Sequence, residues 1–138
     1  MNKDFSTQLY QIWTPQFSSI WRIENRFFQV VAFAKEKDPK AVHPGLVIDE
    51  TGSNDSYQTA PGTSRYHSDH IDVFKTQLKN QSENYDNAYF LLHLSVPIHK
   101  KTFSQVCHRG WWNQDCLHKQ DTARLKHQLS TRKSYDIY

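Results

Sequence analysis

The sequence predicts an α+β domain that is mainly β, a meander or small barrel flanked by an N-terminal helical segment and a C-terminal helix. Three observations predict it. Apolar runs of strand length follow one another across short polar links: Phe27 to Phe33, Leu46-Val47-Ile48 and Tyr57 to Ala60. A longer apolar run, Ala88 to Val96, ends at Pro97 and reads as the central strand. Extended helical spacing occurs in segments near the two ends of the chain.

Taken in order, Phe5, Leu9, Ile12 and Trp13 keep helical spacing up to Pro15, and Phe17, Ile20 and Trp21 resume it, which predicts one broken helix or two short ones. Phe27, Phe28, Val30, Val31 and Phe33 suit a strand covered on both faces. A charged turn, Lys35 to Lys40, leads to the Leu46-Val47-Ile48 strand, a polar turn over Thr51 to Ser56, and the short Tyr57 to Ala60 strand. Ile71, Val73, Phe74 and Leu78 fit a strand or a helical turn equally well, and Lys79 to Asn87 has loop composition. Gly110 marks a break. Asn113 can cap a helix running to about Leu129 with Leu117, Leu125 and Leu129 on one face, and Thr131 to Tyr138 reads as a tail.

A chain of 138 residues allows one compact domain without metal or disulfide staples. The reading is therefore a single domain over 1–138, with a helical extension at 1–26, the barrel and its helix at 27–129, and a tail at 130–138. Apolar residues make up only 37%, but aromatics reach 14% and supply the bulk of a small core, which argues against disorder. A net charge of +3 permits contact with phosphates without requiring it, since solvated lysines are the ordinary case. No apolar stretch approaches the roughly 18 residues of a membrane span. Met1-Asn2-Lys3-Asp4 lacks the apolar core of a secretory signal, so a cytoplasmic location with Cys107 and Cys116 reduced is expected.

The chemistry concentrates in two runs. His43-Pro44-Gly45-Leu46-Val47-Ile48 is a buried strand entered through a proline, and Pro61-Gly62-Thr63-Ser64 is a turn that presents hydroxyls. A hairpin between them brings His43 close to Thr63, Ser64 and Arg65, a phosphate-handling constellation. Each residue also has an ordinary role: His43 as a surface turn residue, Thr63 and Ser64 as hydroxyls satisfying turn amides, Arg65 as a solvated charge. His67 and His70 lie three apart, and Cys107, His108, Cys116 and His118 form a second cluster. Zinc sites bring closely spaced cysteine pairs, which this chain lacks, so no metal is expected and the cysteines read as small apolar fillers. Trp111-Trp112 reads as core rather than as a base-stacking platform.

Val30-Val31-Ala32-Phe33, the charged Lys35 to Val42 loop, His43-Pro44-Gly45-Leu46-Val47-Ile48 and Ala60-Pro61-Gly62-Thr63-Ser64 occur in the order and spacing of the PemK/MazF family of toxin endoribonucleases. The chain resembles that family over Phe27 to Leu129. The resemblance implies an SH3-like barrel, usually a homodimer, that cuts single-stranded RNA without a metal or other cofactor and is partnered by an antitoxin protein. The family uses an arginine before the proline of its second strand and a threonine or serine at the end of its third. Here His43 stands at the arginine position and Thr63 or Ser64 at the hydroxyl position. Histidine offers less fixed charge than arginine but titrates near neutrality. His43 is thus expected as base or acid, Thr63 and Ser64 as donors to the phosphate, and Arg65 as the source of positive charge, with Lys40, His67 and His70 contacting RNA. Two non-enzymatic classes remain open: a barrel that only binds RNA or protein, and a phage or mobile-element accessory protein that inhibits a host factor.

Overall fold

The computed structural model describes residues 15–28, 42–50, 52–65, 72–80, 82–103 and 114–136. Among them six strands form one antiparallel sheet: β1 (Ile20–Glu24), β2 (Val42–Val47), β3 (Ser56–Thr63), β4 (Val73–Lys79), β5 (Tyr85–Leu91) and β6 (Val96–His99). Their order is β1-β2-β3-β5-β4, with β6 also bonded to β3, and the sheet is not closed. One α-helix, α1 (Lys119–Asp136), follows. The described chain is therefore α+β and mainly β.

The polar stretch before β3 makes the β2–β3 hairpin. Asn54 and Asp55 both take positive φ (54° and 61°), and Ser53 and Ser56 exchange both backbone hydrogen bonds at 2.9 and 3.0 Å. That two-residue turn has the twist that suits antiparallel strands, and asparagine and aspartate tolerate its left-handed conformation.

Both long edges of β3 are used. Thr59 to Pro61 pairs with β2, while on the other edge Ser56 to Thr59 pairs with β6 and Gly62-Thr63 pairs with β5. Two apolar clusters result. Ile20, Leu46, Ala60, Phe74 and Phe90 pack with Leu117 and Leu125 on the α1 side. Trp21, Ile23, Phe28, Val47, Ile98 and Phe103 form the second, with Trp21 and Phe103 edge to face at 5.4 Å. α1 also closes the outer edge of β4: Arg124 Nη2 donates to the Lys75 carbonyl (2.7 Å) and Gln128 Nε2 to the Val73 carbonyl (3.1 Å). An exposed strand edge is thereby kept from pairing with other chains.

Several expectations are corrected. Phe17, Ile20 and Trp21 do not continue a helix: Ile20 to Glu24 is a strand, and its neighbours Ile20 and Trp21 are both buried because β1 feeds both clusters. Phe27 and Phe28 lie in a 3-10 helix, Asn25–Phe28, rather than a strand; Phe5 to Trp13 and Val30 to Phe33 lie outside the described residues. Pro61-Gly62 is not a turn. β3 runs through it to Thr63, and a Cβ on Gly62 would lie 2.7 Å from Phe90 Cε1 and 2.9 Å from Pro44 Cγ, so glycine is needed for strand packing here. Lys79 belongs to β4, and Tyr85 to Asn87 belong to β5, where a loop was expected. Asn80 makes the short turn between them, its Oδ1 accepting from the amides of Ser82 (2.9 Å) and Asn84 (3.0 Å). The Ala88 to Val96 run breaks at a 3-10 helix, Leu92–Leu94, so that its two halves, β5 and β6, pair with opposite ends of β3. Helix α1 starts at Lys119 and continues to Asp136, through most of the expected tail.

Candidate functional site

The β2–β3 register determines which of the sequence-derived residues meet. The β2–β3 pairing ends with Gly45 opposite Pro61. The strands stay close one step further, where a Cβ on Gly62 would lie 2.9 Å from Pro44 Cγ, and the same register continued to the next residue brings His43 level with Thr63. His43 pairs with Ile23 on its other side, Thr63 with Tyr89, and Tyr89 with Lys75. Residues level with one another across antiparallel strands share a face. Ile23, His43, Thr63, Tyr89 and Lys75 therefore make a row across five strands, on the face opposite α1.

Gly45 lets His43 acquire its partner. A Cβ there would lie 2.8 Å from both Ile23 Cγ1 and Thr59 Cγ2, so the missing side chain allows β1 and the 3-10 helix after it to settle on β2. That helix begins with the buried Asn25, whose Oδ1 meets His43 Nδ1. A carboxamide oxygen only accepts, so a ring protonated at Nδ1 fits this contact. Thr63 is half-exposed at the end of β3, and its Oγ1 accepts the Arg65 amide N–H at 3.2 Å. Ser64 and Arg65 are exposed just beyond it. Lys40, His67 and His70 lie outside the described residues.

At the other end of the row, the β4–β5 face and the start of α1 bound an open groove of about 600 Å³, lined among others by Lys75, Gln77, Tyr85, Asn87, His118 and Arg124. The Tyr85 and His118 rings are tilted at 49° with centroids 6.3 Å apart, and Tyr85 is 53% exposed. Lys75 Nζ sits 5.9 Å from the Tyr89 ring centre. Gln77 Nε2 donates to Asn87 Oδ1 at 3.4 Å. The groove's carboxylate, Asp121, is engaged: Thr76 Oγ1 donates to Oδ2 (2.5 Å) and Arg124 Nη2 to Oδ1 (3.0 Å). Partial burial pushes this carboxyl up, but the Thr76 and Arg124 hydrogen bonds and the Arg124 charge outweigh it and hold the group below its ordinary range.

The sequence reading missed Asn25, and it placed Lys75 and Tyr85 only within a variable specificity loop, Lys75 to Asn87, where the structure has strands β4 and β5. The strict alternation of Phe74, Thr76 and Leu78 with Lys75, Gln77 and Lys79 was the available signal for Lys75. Nothing local marks Asn25. Cys116 is exposed rather than a buried filler, and its thiol is pushed up by partial burial, then by the charge and hydrogen bond of Asp115. Cys107 lies outside the described residues. Among the described residues no three His, Cys, Asp or Glu side chains are grouped to hold a metal, and no helix is long and apolar enough to cross a membrane. No protein-family model matches this chain, and no curated protein is significantly similar to it.

Proposed function

We propose that this chain is a PemK/MazF-like endoribonuclease, an SH3-like barrel that cleaves single-stranded RNA without a metal. The observation that supports the reading is the β2–β3 register, Gly45 opposite Pro61, which continued by two residues brings His43 level with Thr63, together with the contact of His43 Nδ1 with Asn25 Oδ1. In the reaction, His43 Nε2 takes the proton of the ribose 2′-hydroxyl as its oxygen attacks phosphorus. The phosphorus–O5′ bond breaks, and the departing oxygen takes a proton from water, giving a 2′,3′-cyclic phosphate and a 5′-hydroxyl, while the imidazolium returns its proton to the hydroxide so formed. The Thr63 and Ser64 hydroxyls donate to the phosphoryl oxygens, and Arg65 supplies the positive charge that the family carries at the His43 position. The same reading makes the protein a cytoplasmic homodimer with an antitoxin partner.

The test is incubation of the purified chain with end-labelled single-stranded RNA in excess chelator. Cleavage is expected, with 5′ ends open to phosphorylation by polynucleotide kinase and 3′ ends that resist phosphatase until acid opens the cyclic ester. Intact RNA would overturn the nuclease reading. Histidine in place of arginine favours a second reading, a barrel that binds RNA without cutting it, and retention of uncut RNA would support that one.

A further inference from the structure

The row of side chains does not stop at the reacting groups. From His43 it passes Thr63 and Tyr89 to Lys75 and opens into the groove at the β4 edge, about 14 Å away across three strand spacings. The groove combines an exposed ring, Tyr85, tilted against the His118 ring with a side-chain amide pair, Gln77 and Asn87, and an exposed cation, Lys75. A nucleotide calls for this set: a flat surface for the base, donors and acceptors for its edge, and positive charge for its phosphate. A free carboxylate would repel that phosphate, but Asp121 is tied to Thr76 and Arg124.

We propose that the groove between β4, β5 and the start of α1 is a remote subsite that holds one nucleotide of a single-stranded RNA whose chain continues along the row toward His43. The base stacks on Tyr85, the Gln77 and Asn87 amides meet its edge, and Lys75 pairs with the phosphate on the His43 side. Strand length, rather than the cleaved linkage alone, then sets affinity. This inference rests on the RNA reading above for its ligand but not on cleavage.

Fluorescence anisotropy with a labelled single-stranded RNA decamer, beside cleavage of the decamer and of an unlabelled dinucleotide, tests it. Tyr85→Ala is expected to weaken decamer binding about tenfold or more, as for loss of one stacked base, and Tyr85→Phe to restore it. Lys75→Ala is expected to weaken binding and lower the slope of log affinity against log salt by about 0.7, the value for one phosphate contact on a single strand. Lys101→Ala, an exposed cation outside the groove, is expected to leave both unchanged. Dinucleotide cleavage is expected to be unaffected by Lys101→Ala. If folded Tyr85→Ala and Lys75→Ala bind the decamer as the wild type does, the subsite is overturned, whether or not RNA is cut. If the wild type binds but does not cut while the variants lose binding, the subsite stands and the nuclease reading falls. A wild type that neither binds nor cuts removes both.

Discussion

The two faces of the β2-β3-β5-β4 sheet are built from alternate residues of the same strands, yet they have opposite characters. Toward α1 the strands present Leu46, Ala60, Phe74, Leu78, Ala88 and Phe90, all fully buried. The other face is divided: Val47 and Thr59 are fully buried by the second cluster, whereas His43, Thr63, Tyr89, Lys75, Gln77 and Asn87 are half or fully exposed. Over β4, where buried and exposed residues alternate, a strand buried on one face leaves the other free for chemistry, while β2 and β3 are buried on both faces up to their ends at His43 and Thr63. The difference teaches that the candidate site is positioned by residues it never touches.

The largest effects break the contrast directly. Phe90→Ala should cost about 3–5 kcal/mol by leaving a cavity between sheet and helix, whereas Tyr89→Ala, the next residue on the same strand, should cost less than about 1 kcal/mol; urea unfolding of both measures the asymmetry. Gly62→Ala comes next. Its Cβ would press on Phe90 and Pro44 at 2.7 and 2.9 Å, and destabilisation of about 1–3 kcal/mol is expected in the same assay. Wild-type stability after this substitution would mean that β3 and β5 are not so closely apposed.

The smallest effect concerns the groove carboxylate. Because the folded state holds the Asp121 carboxyl below its ordinary value of 3.8, the unfolded chain binds its proton more readily. The stabilisation is thus present above that value and is lost as pH falls through the lower folded value. Thermal melts from pH 6 to pH 2 should show Asp121→Asn with a shallower acid decline than the wild type. Identical slopes would mean that Thr76 and Arg124 do not engage the carboxylate in solution.

What the sequence disclosed follows the same division. The β2–β3 hairpin was legible because Leu46-Val47-Ile48 is an uninterrupted apolar run before a polar turn, whereas the Ala88 to Val96 run, expected as the central strand, is divided between β5 and β6, and β3 is the strand at the centre. β1 was hidden because a strand that feeds two cores buries adjacent residues, and Phe17, Ile20 and Trp21 then mimic helical spacing. The end of β3 was hidden because Pro61-Gly62, a common turn signal, is here a close approach between packed strands. The end of α1 was hidden because its last two turns carry no apolar residue before Tyr135 to mark a packed face. For the candidate site, His43 and Thr63 to Arg65 could be named from local motifs. Asn25 is 18 residues from His43 and enters only through the packing that Gly45 permits, and the Tyr85–His118 pairing joins β5 to the approach to α1.

Central to this account is that an imidazole on the open face, held by Asn25, moves the proton in RNA cleavage. His43→Ala, assayed against labelled single-stranded RNA in chelator beside the wild type, tests it most directly, with the thermal midpoint measured on the same samples. The account predicts a loss of cleavage of about 10²-fold or more with an essentially unchanged midpoint. Cleavage by folded His43→Ala at the wild-type rate would contradict it.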